Sequence, residues 1–178
     1  MRKLKLHELN RATVEEFKKQ EKTPIVLILD NVRSALNVGS AFRTADSFAL
    51  QKICLCGISA TPPHREIMKT AIGATESMEW EHFKETKEAV LALQKEGFKV
   101  FAVEQAEGSQ LLQQADIQVD GKYALVFGNE VSGVHESVME VVDGCIEIPQ
   151  FGTKHSLNIS VCLGIVVWEF CRKMKLKQ

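Results

Sequence analysis

The chain has 178 residues, 45% hydrophobic and 25% charged, a length that suits one well-buried domain and is short for two. Its 22 Lys+Arg against 23 Asp+Glu leave a formal net charge of −1, which argues against a non-specific polyphosphate binder, because such proteins are basic overall. The longest apolar stretch, residues 159–168, falls far short of the ~20 residues of a membrane span, and no apolar leader follows the basic start; the odd, scattered set of five cysteines suits a reducing cytoplasm, where the protein is expected.

Apolar strand-like runs alternate with amphipathic helical ones, the pattern of an α/β domain with a mainly parallel sheet. Thr13 and Glu16 form a capping-box signature for a short helix reaching about residue 20. Residues 25–29, introduced by Pro24, are a continuous aliphatic run typical of a strand buried on both faces. A helix is expected over 38–48, a strand over 52–56, a helical piece over 65–70 and a strand over 77–83. Helix 86–96, stopped by Gly97, precedes a strand over 98–103, and 110–115 reads as a short helix. A strand over 123–127, a helix over 135–142, a strand over 145–148 and a long helix over 156–173 complete the pattern. That last helix is apolar on most faces, so it should be buried on more than one side, and a partner subunit is the simplest cover. The expected organisation is a short N-terminal extension, 1–24, ahead of a single domain over 25–178.

Cys54, Cys56, Cys145, Cys162 and Cys171 form no Cys-x-x-Cys pair, and the histidines are scattered, so the thiols read as core residues and no metal is expected. Basic residues gather only at the ends: Arg2, Lys3, Lys5 and Arg11, then Arg172, Lys173, Lys175 and Lys177. Any contact with a polyphosphate would have to use such a local basic surface.

Three segments follow predicted strands, where open α/β sheets place their ligands. In the first, Asn37 can cap the following helix and Gly39 permits close approach of a phosphate or ribose. Arg43 lies six residues past Asn37, and alone it reads as a helix-surface arginine. The second, Gly128-Asn129-Glu130-Val131-Ser132-Gly133, superficially resembles a dinucleotide glycine loop but sets Glu130 where a pyrophosphate would be repelled. An acidic glycine loop suits a ligand with positive character or with hydroxyls; its plain alternative is a turn with a solvated glutamate. In the third, Ile146 to Pro149 lead through Gln150–His155 to Ser156-Leu157-Asn158-Ile159-Ser160. Ser156 and Asn158 can cap the last helix, although Asn158, two residues inside it, is harder to explain by capping alone.

Together and in this order, Asn-x-Gly-x-x-x-Arg, Gly-Asn-Glu-x-x-Gly and Ile-Pro…Ser-Leu-Asn-x-Ser resemble the three motifs of the SpoU family, RNA ribose 2′-O-methyltransferases of the SPOUT superfamily. The resemblance covers residues 25–170 and implies a sheet whose C-terminal segment forms a deep trefoil knot. It further implies a homodimer that binds S-adenosylmethionine in the knotted pocket at the subunit interface. Backbone groups of Gly128, Ile148 and Leu157 would hold the cofactor, with Val103 and Gly133 as neighbours. Arg43 matches the catalytic arginine, supplied toward the other subunit's methyl donor; Asn37, Glu130, Ser156 and Asn158 match the remaining polar residues of the site. The implied chemistry is an in-line displacement in which a ribose oxygen attacks the methyl group on sulfur. A guanidinium with a pKa above ~12 is a poor base, so Arg43 is read as binding the adjacent phosphate and favouring the alkoxide. No extra N-terminal RNA-binding domain is visible, which makes the build more like that of compact members acting on tRNA, so tRNA is favoured over rRNA. The alternative is a knotted RNA-binding or assembly factor without methyl transfer, against which Arg43, Glu130 and Asn158 speak. A dehydrogenase or small kinase would need a phosphate loop that is not present. Methylation of a base, as in other SPOUT branches, fits the arginine and the Ser-Leu-Asn less well.

Overall fold

The computed structural model describes residues 1–175. In chain order its strands are β1 (Thr23–Asp30), β2 (Leu50–Cys56), β3 (Trp80–Phe83), β4 (Lys99–Val103), β5 (Gln110–Leu111), β6 (Tyr123–Phe127) and β7 (Gly144–Glu147). Its helices are α1 (Val14–Lys19), α2 (Ala35–Ser47), α3 (Arg65–Ala71), α4 (Ala74–Ser77), α5 (Thr86–Lys95), α6 (Glu136–Met139) and α7 (Ile159–Lys175). The strands form one sheet in the order β3-β2-β1-β6-β4-β7-β5, and every pairing is parallel.

β1 shows why its sequence is a continuous apolar run. Alternate side chains of a strand point to opposite faces, and both faces here are covered. Ile25, Leu27 and Leu29 enter a core shared with α2, α3, α4 and α7. Val26 and Ile28 enter a second core with Cys54, Cys56, Val100, Val126 and residues of α5 and α6. β1 pairs with β2 on one side and β6 on the other, placing Leu27 level with Ile53 and Leu125. The N-terminal extension is anchored by Phe17, which is buried in the first core, and Thr13 and Glu16 make the expected reciprocal cap of α1.

Helix α7 lies against the first core. Leu163, Val166, Val167 and Phe170 are buried, and the Phe170 ring meets Tyr123 edge-on at 5.3 Å and Phe101 at 6.4 Å. Its other face leaves Val161, Ile165 and Trp168 exposed, at the four- and three-residue spacing of one helical stripe. Among the described residues no helix is long and apolar enough to cross a membrane.

Several boundaries differ from the sequence expectation. Helix α2 begins at Ala35, because the Ser34 hydroxyl, not Asn37, accepts the Asn37 amide and caps it. Gln110 and Leu111 pair with β7 as a short edge strand before a single 3-10 turn, Leu112–Gln114, where a helix was expected. The segment before β3 forms α4, and α6 is only four residues long, capped by His135.

Lys173 corrects the reading of the C-terminal basic cluster. It is buried, and its ammonium donates to the carbonyls of Ala115 (2.7 Å), Gln113 (3.1 Å) and Leu112 (3.4 Å), closing the open end of that 3-10 turn. Lys173→Met should lower unfolding stability by about 1–3 kcal/mol in urea melts, the cost of stranding buried carbonyls, and leave the salt dependence of RNA binding unchanged. Arg2 and Arg172 are engaged with Glu8 and Glu169, each at 2.8 Å. Lys177 lies outside the described residues.

Candidate functional site

All strands point their carboxyl ends one way, and the three loops singled out by sequence converge there. β1 ends in Asp30, whose buried carboxylate accepts hydrogen bonds from Thr86 Oγ1 (2.5 Å), Asn31 Nδ2 (2.8 Å) and the His135 amide (2.8 Å). One group thus fixes the ends of β1, α5 and α6.

The loop after β6 closes on itself. Asn129 and Gly133 exchange two backbone hydrogen bonds of 2.9 Å, and Asn129 Oδ1 accepts the Val131 amide at 2.8 Å. A Cβ on Gly128 would overlap the Gly133 carbonyl carbon and the Val134 nitrogen; one on Gly133, whose φ is +69°, would overlap the Glu104 carboxylate. Gly128 is therefore demanded by packing against backbone, and Gly133 by its left-handed conformation, since the Glu104 side chain it meets could swing aside.

Glu130 joins this loop to the start of α2. Its carboxylate accepts the backbone amides of Arg33 (2.9 Å) and Ser34 (3.1 Å) and the side-chain amide of Asn37 (3.1 Å). Asn129 Nδ2 adds a 2.7 Å bond to the Asn31 carbonyl. Negative charge is favoured at the amino end of a helix, where amides lack internal partners. Partial burial opposes the Glu130 charge, but the donors from Arg33, Asn37, Ser34 and its own backbone together hold the carboxyl below the usual range. A depressed folded pKa means stabilisation that is full above the unfolded value and lost as pH falls through the folded one. Wild-type and Glu130→Gln should therefore differ in Tm at neutral pH, and the gap should close as pH drops below about 4.5; a constant gap in a pH series of thermal melts would contradict the latch.

Asn158 brings in the third loop. It caps α7, its Oδ1 accepting the Ser160 amide (2.9 Å) and hydroxyl (2.6 Å), while its Nδ2 reaches Asn37 Oδ1 at 3.4 Å. The helix thus starts at Ile159, later than expected, and capping does account for Asn158. Ser156 remains exposed in the loop and lines the cleft.

Between the ends of β4, β6 and β7 lies a cleft of about 710 Å³, within the range of small-molecule sites. Val103, Gly128, Gly133, Ile148 and Leu157 line it, as do Glu130, Ser156 and Asn158. Glu104 and Glu147 add carboxylates, and the described lining contains no lysine or arginine. Cys162 also faces the cleft, but burial pushes its thiol up to about 11, so it is protonated at neutral pH. No group of His, Cys, Asp and Glu arranged to hold a metal occurs among the described residues.

The SpoU rRNA Methylase family model matches residues 24–168. The chain belongs to this family. A 23S rRNA (guanosine-2′-O-)-methyltransferase, RlmB, of Vibrio parahaemolyticus is 30% identical over 166 residues, 93% of this chain and 66% of that one. The AdoMet-bound rRNA methyltransferase of Sinorhizobium meliloti superposes with a TM-score of 0.77 at 25% identity, over 88% of this chain and 59% of that one. A structure reported as "Structural insights into the 2-OH methylation of C/U34 on tRNA" gives a TM-score of 0.74 at 25% identity, over 85% of this chain and 97% of that one. The chain spans about two thirds of the length of the curated relatives it matches.

Within this SpoU fold, one predicted site residue stands apart. Arg43 is exposed on α2, makes no side-chain hydrogen bond or ion pair among the described residues, and does not line the cleft. Asn37 is not in the lining either, but it touches both Glu130 and Asn158. Gly39 has a different role from the one expected: a Cβ there would overlap the Ile67 carbonyl and Thr70, so it admits α3, not a phosphate. Sequence reasoning missed Glu104 and Gln105. Glu104 accepts the Val134 amide at 3.2 Å, and Gln105 Nε2 spans to the His155 carbonyl at 2.7 Å. The available signal was their position directly after β4, one and two residues beyond Val103.

Proposed function

We propose that the protein transfers a methyl group from S-adenosylmethionine to a ribose 2′-hydroxyl of a structured RNA, with tRNA preferred to rRNA. The observation that carries this reading is a cleft walled by the second and third SpoU motifs, joined to the first through the Glu130–Asn37 hydrogen bond, furnished with carboxylates and, among the described residues, lined by no lysine or arginine. Such a lining repels a pyrophosphate and suits a ligand that offers a positive sulfur and ribose hydroxyls. The AdoMet-bound relative supports the cofactor, the Vibrio relative supports the ribose 2′-oxygen, and the near full-length match to the C/U34 structure supports tRNA.

Gly128, Ile148 and Leu157 would hold the cofactor through backbone groups, with Val103 and Gly133 beside them. S-adenosylmethionine supplies an activated methyl group on a sulfonium sulfur when bound there. The chain's task is then to position a weak alcohol nucleophile and stabilise charge developing on its oxygen. Arg43 performs this by binding the neighbouring phosphate with its guanidinium fork. Glu130, Asn37 and Asn158 are positioning residues that fix α2 to the cleft, and Ser156 faces the substrate from the third loop.

We further infer a homodimer formed through α7. Val161, Ile165 and Trp168 present an apolar stripe, and Trp168 contacts Phe48 at the end of α2, edge-on at 6.3 Å. Arg43 lies on the exposed side of α2, the helix that packs against α7, which suits an arginine delivered to the partner's cleft. A C-terminal trefoil knot belongs to this reading through membership of the SpoU family and the superposition on its solved members. In this reading the methyltransferase domain begins with β1, whose Thr23 and Pro24 the expected 1–24 extension had included, and the protein works in the cytoplasm.

Transfer of label from S-adenosylmethionine into tRNA and rRNA from cells lacking the protein, followed by nuclease mapping, tests the proposal. Label in a nuclease-resistant dinucleotide of tRNA is the expected result. Cofactor binding without label in either RNA would favour a non-catalytic RNA-binding factor.

A further inference from the structure

Between β7 and α7, residues 148–158 have no regular structure and supply one wall of the cleft through Gln150, His155 and Ser156. Beside Gln150, Phe151 is 97% exposed, and Gly152, Thr153, Lys154 and His155 after it are exposed as well. A single exposed apolar residue is ordinary on a protein surface. This one directly follows the cleft-lining Gln150 and lies three positions before Lys154, on a segment whose C-terminal end is held in place. Gln105 bonds the His155 carbonyl at 2.7 Å, and Asn158 fixes the start of α7.

The charge pattern leaves work for such a group. The chain carries a net charge of −1, and of its terminal basic residues Lys173 is buried while Arg2 and Arg172 are engaged with carboxylates. Part of the terminal basic surface is thus already committed within the chain, although Lys3, Lys5 and Arg11 remain exposed. Stacking of a base on an aromatic ring does not depend on net charge, and every base offers a π-face for it.

We propose that Phe151 is a stacking platform for an RNA base beside the methylated nucleotide, with Lys154 neutralising a neighbouring phosphate. This rests on the reading of the cleft as an RNA methyltransferase site. Phe151→Ala should weaken binding of unfractionated tRNA, followed by fluorescence anisotropy, roughly 5- to 150-fold. Phe151→Trp should preserve binding and Phe151→Leu should not. Binding of labelled S-adenosylmethionine and the Tm should be unchanged in all three, since the ring supports nothing beneath it. Phe151→Ala should leave the slope of log affinity against log salt unaltered, whereas Lys154→Ala should reduce it by about one. Wild-type tRNA affinity in Phe151→Ala overturns the platform. So does a loss of dimer on sedimentation with the RNA affinity of the remaining dimer intact, because the ring would then be covered by a second copy of the chain. Because anisotropy reads RNA binding without catalysis, a wild-type protein that binds tRNA but transfers no methyl group counts against the enzyme reading alone.

Discussion

Arg43→Ala should reduce methyl transfer by about a thousandfold, the scale of removing one preorganised charge-stabilising group, while Tm and cofactor affinity stay at wild-type values. The separation of these effects follows from where the residue lies. Its guanidinium has no partner among the described residues and lies outside the cleft, so its removal breaks nothing in the folded chain. Arg43→Lys keeps the charge and loses the fork; near wild-type turnover across pH in that variant would exclude bidentate phosphate binding. Mixing supplies the sharper test. If Arg43 serves the partner's cleft, combining inactive Arg43→Ala with inactive Gly128→Ala subunits restores one complete site per mixed dimer. Activity should recover to roughly a quarter of wild type after random reassortment of a two-fold dimer. No recovery, with mixed dimers demonstrated, would place the arginine in its own subunit's site.

Gly128→Ala should abolish detectable S-adenosylmethionine binding, a loss of at least about a hundredfold, because the atoms met by the new Cβ belong to backbone and cannot rotate away. The Gly133–Val134 peptide must move, and with it the Asn129–Gly133 pair and the seat of Glu130. Equilibrium dialysis measures the affinity, and a thermal melt should show destabilisation of about 1–3 kcal/mol, typical of overpacking. Gly152→Ala is the matched control: a Cβ there meets nothing within 4 Å, so affinity and Tm should be unaffected. Equal behaviour of the two variants would mean that loop closure is irrelevant to binding.

What could be read from the sequence was set by how local the physics is. The buried strands announced themselves, since residues 25–29 and 123–127 are apolar on both faces and bounded by turn residues. The three motif loops were legible through their order along the chain, and the structure gathers most of their polar residues at the carboxyl end of the sheet. Contacts made at long range were not legible. Lys173 looked like part of a local basic surface at the C-terminal end, because the carbonyls it satisfies lie about sixty residues earlier. Gly39 looked like a ligand-facing glycine because nothing nearby in sequence reveals that α3 crosses it. The start of α7 was placed early because Ser156 and Leu157 can both be helical; the side chain of Asn158, bonded to the Ser160 amide, sets the boundary. Gln110 and Leu111 form a strand only because β7 offers them an edge.

In the proposed reaction the Glu130 latch would make the two substrates thermodynamically interdependent. One carboxylate belongs to the loop that walls the cleft and also seats the first turn of the helix that carries Arg43. A ligand that stiffens the loop also stiffens that helix, so occupying the cleft lowers the ordering cost of engaging RNA. Such coupling is reciprocal: whatever factor the methyl donor adds to RNA affinity, RNA must add to affinity for the donor. Cutting the latch uncouples the two ligands even where each still binds alone.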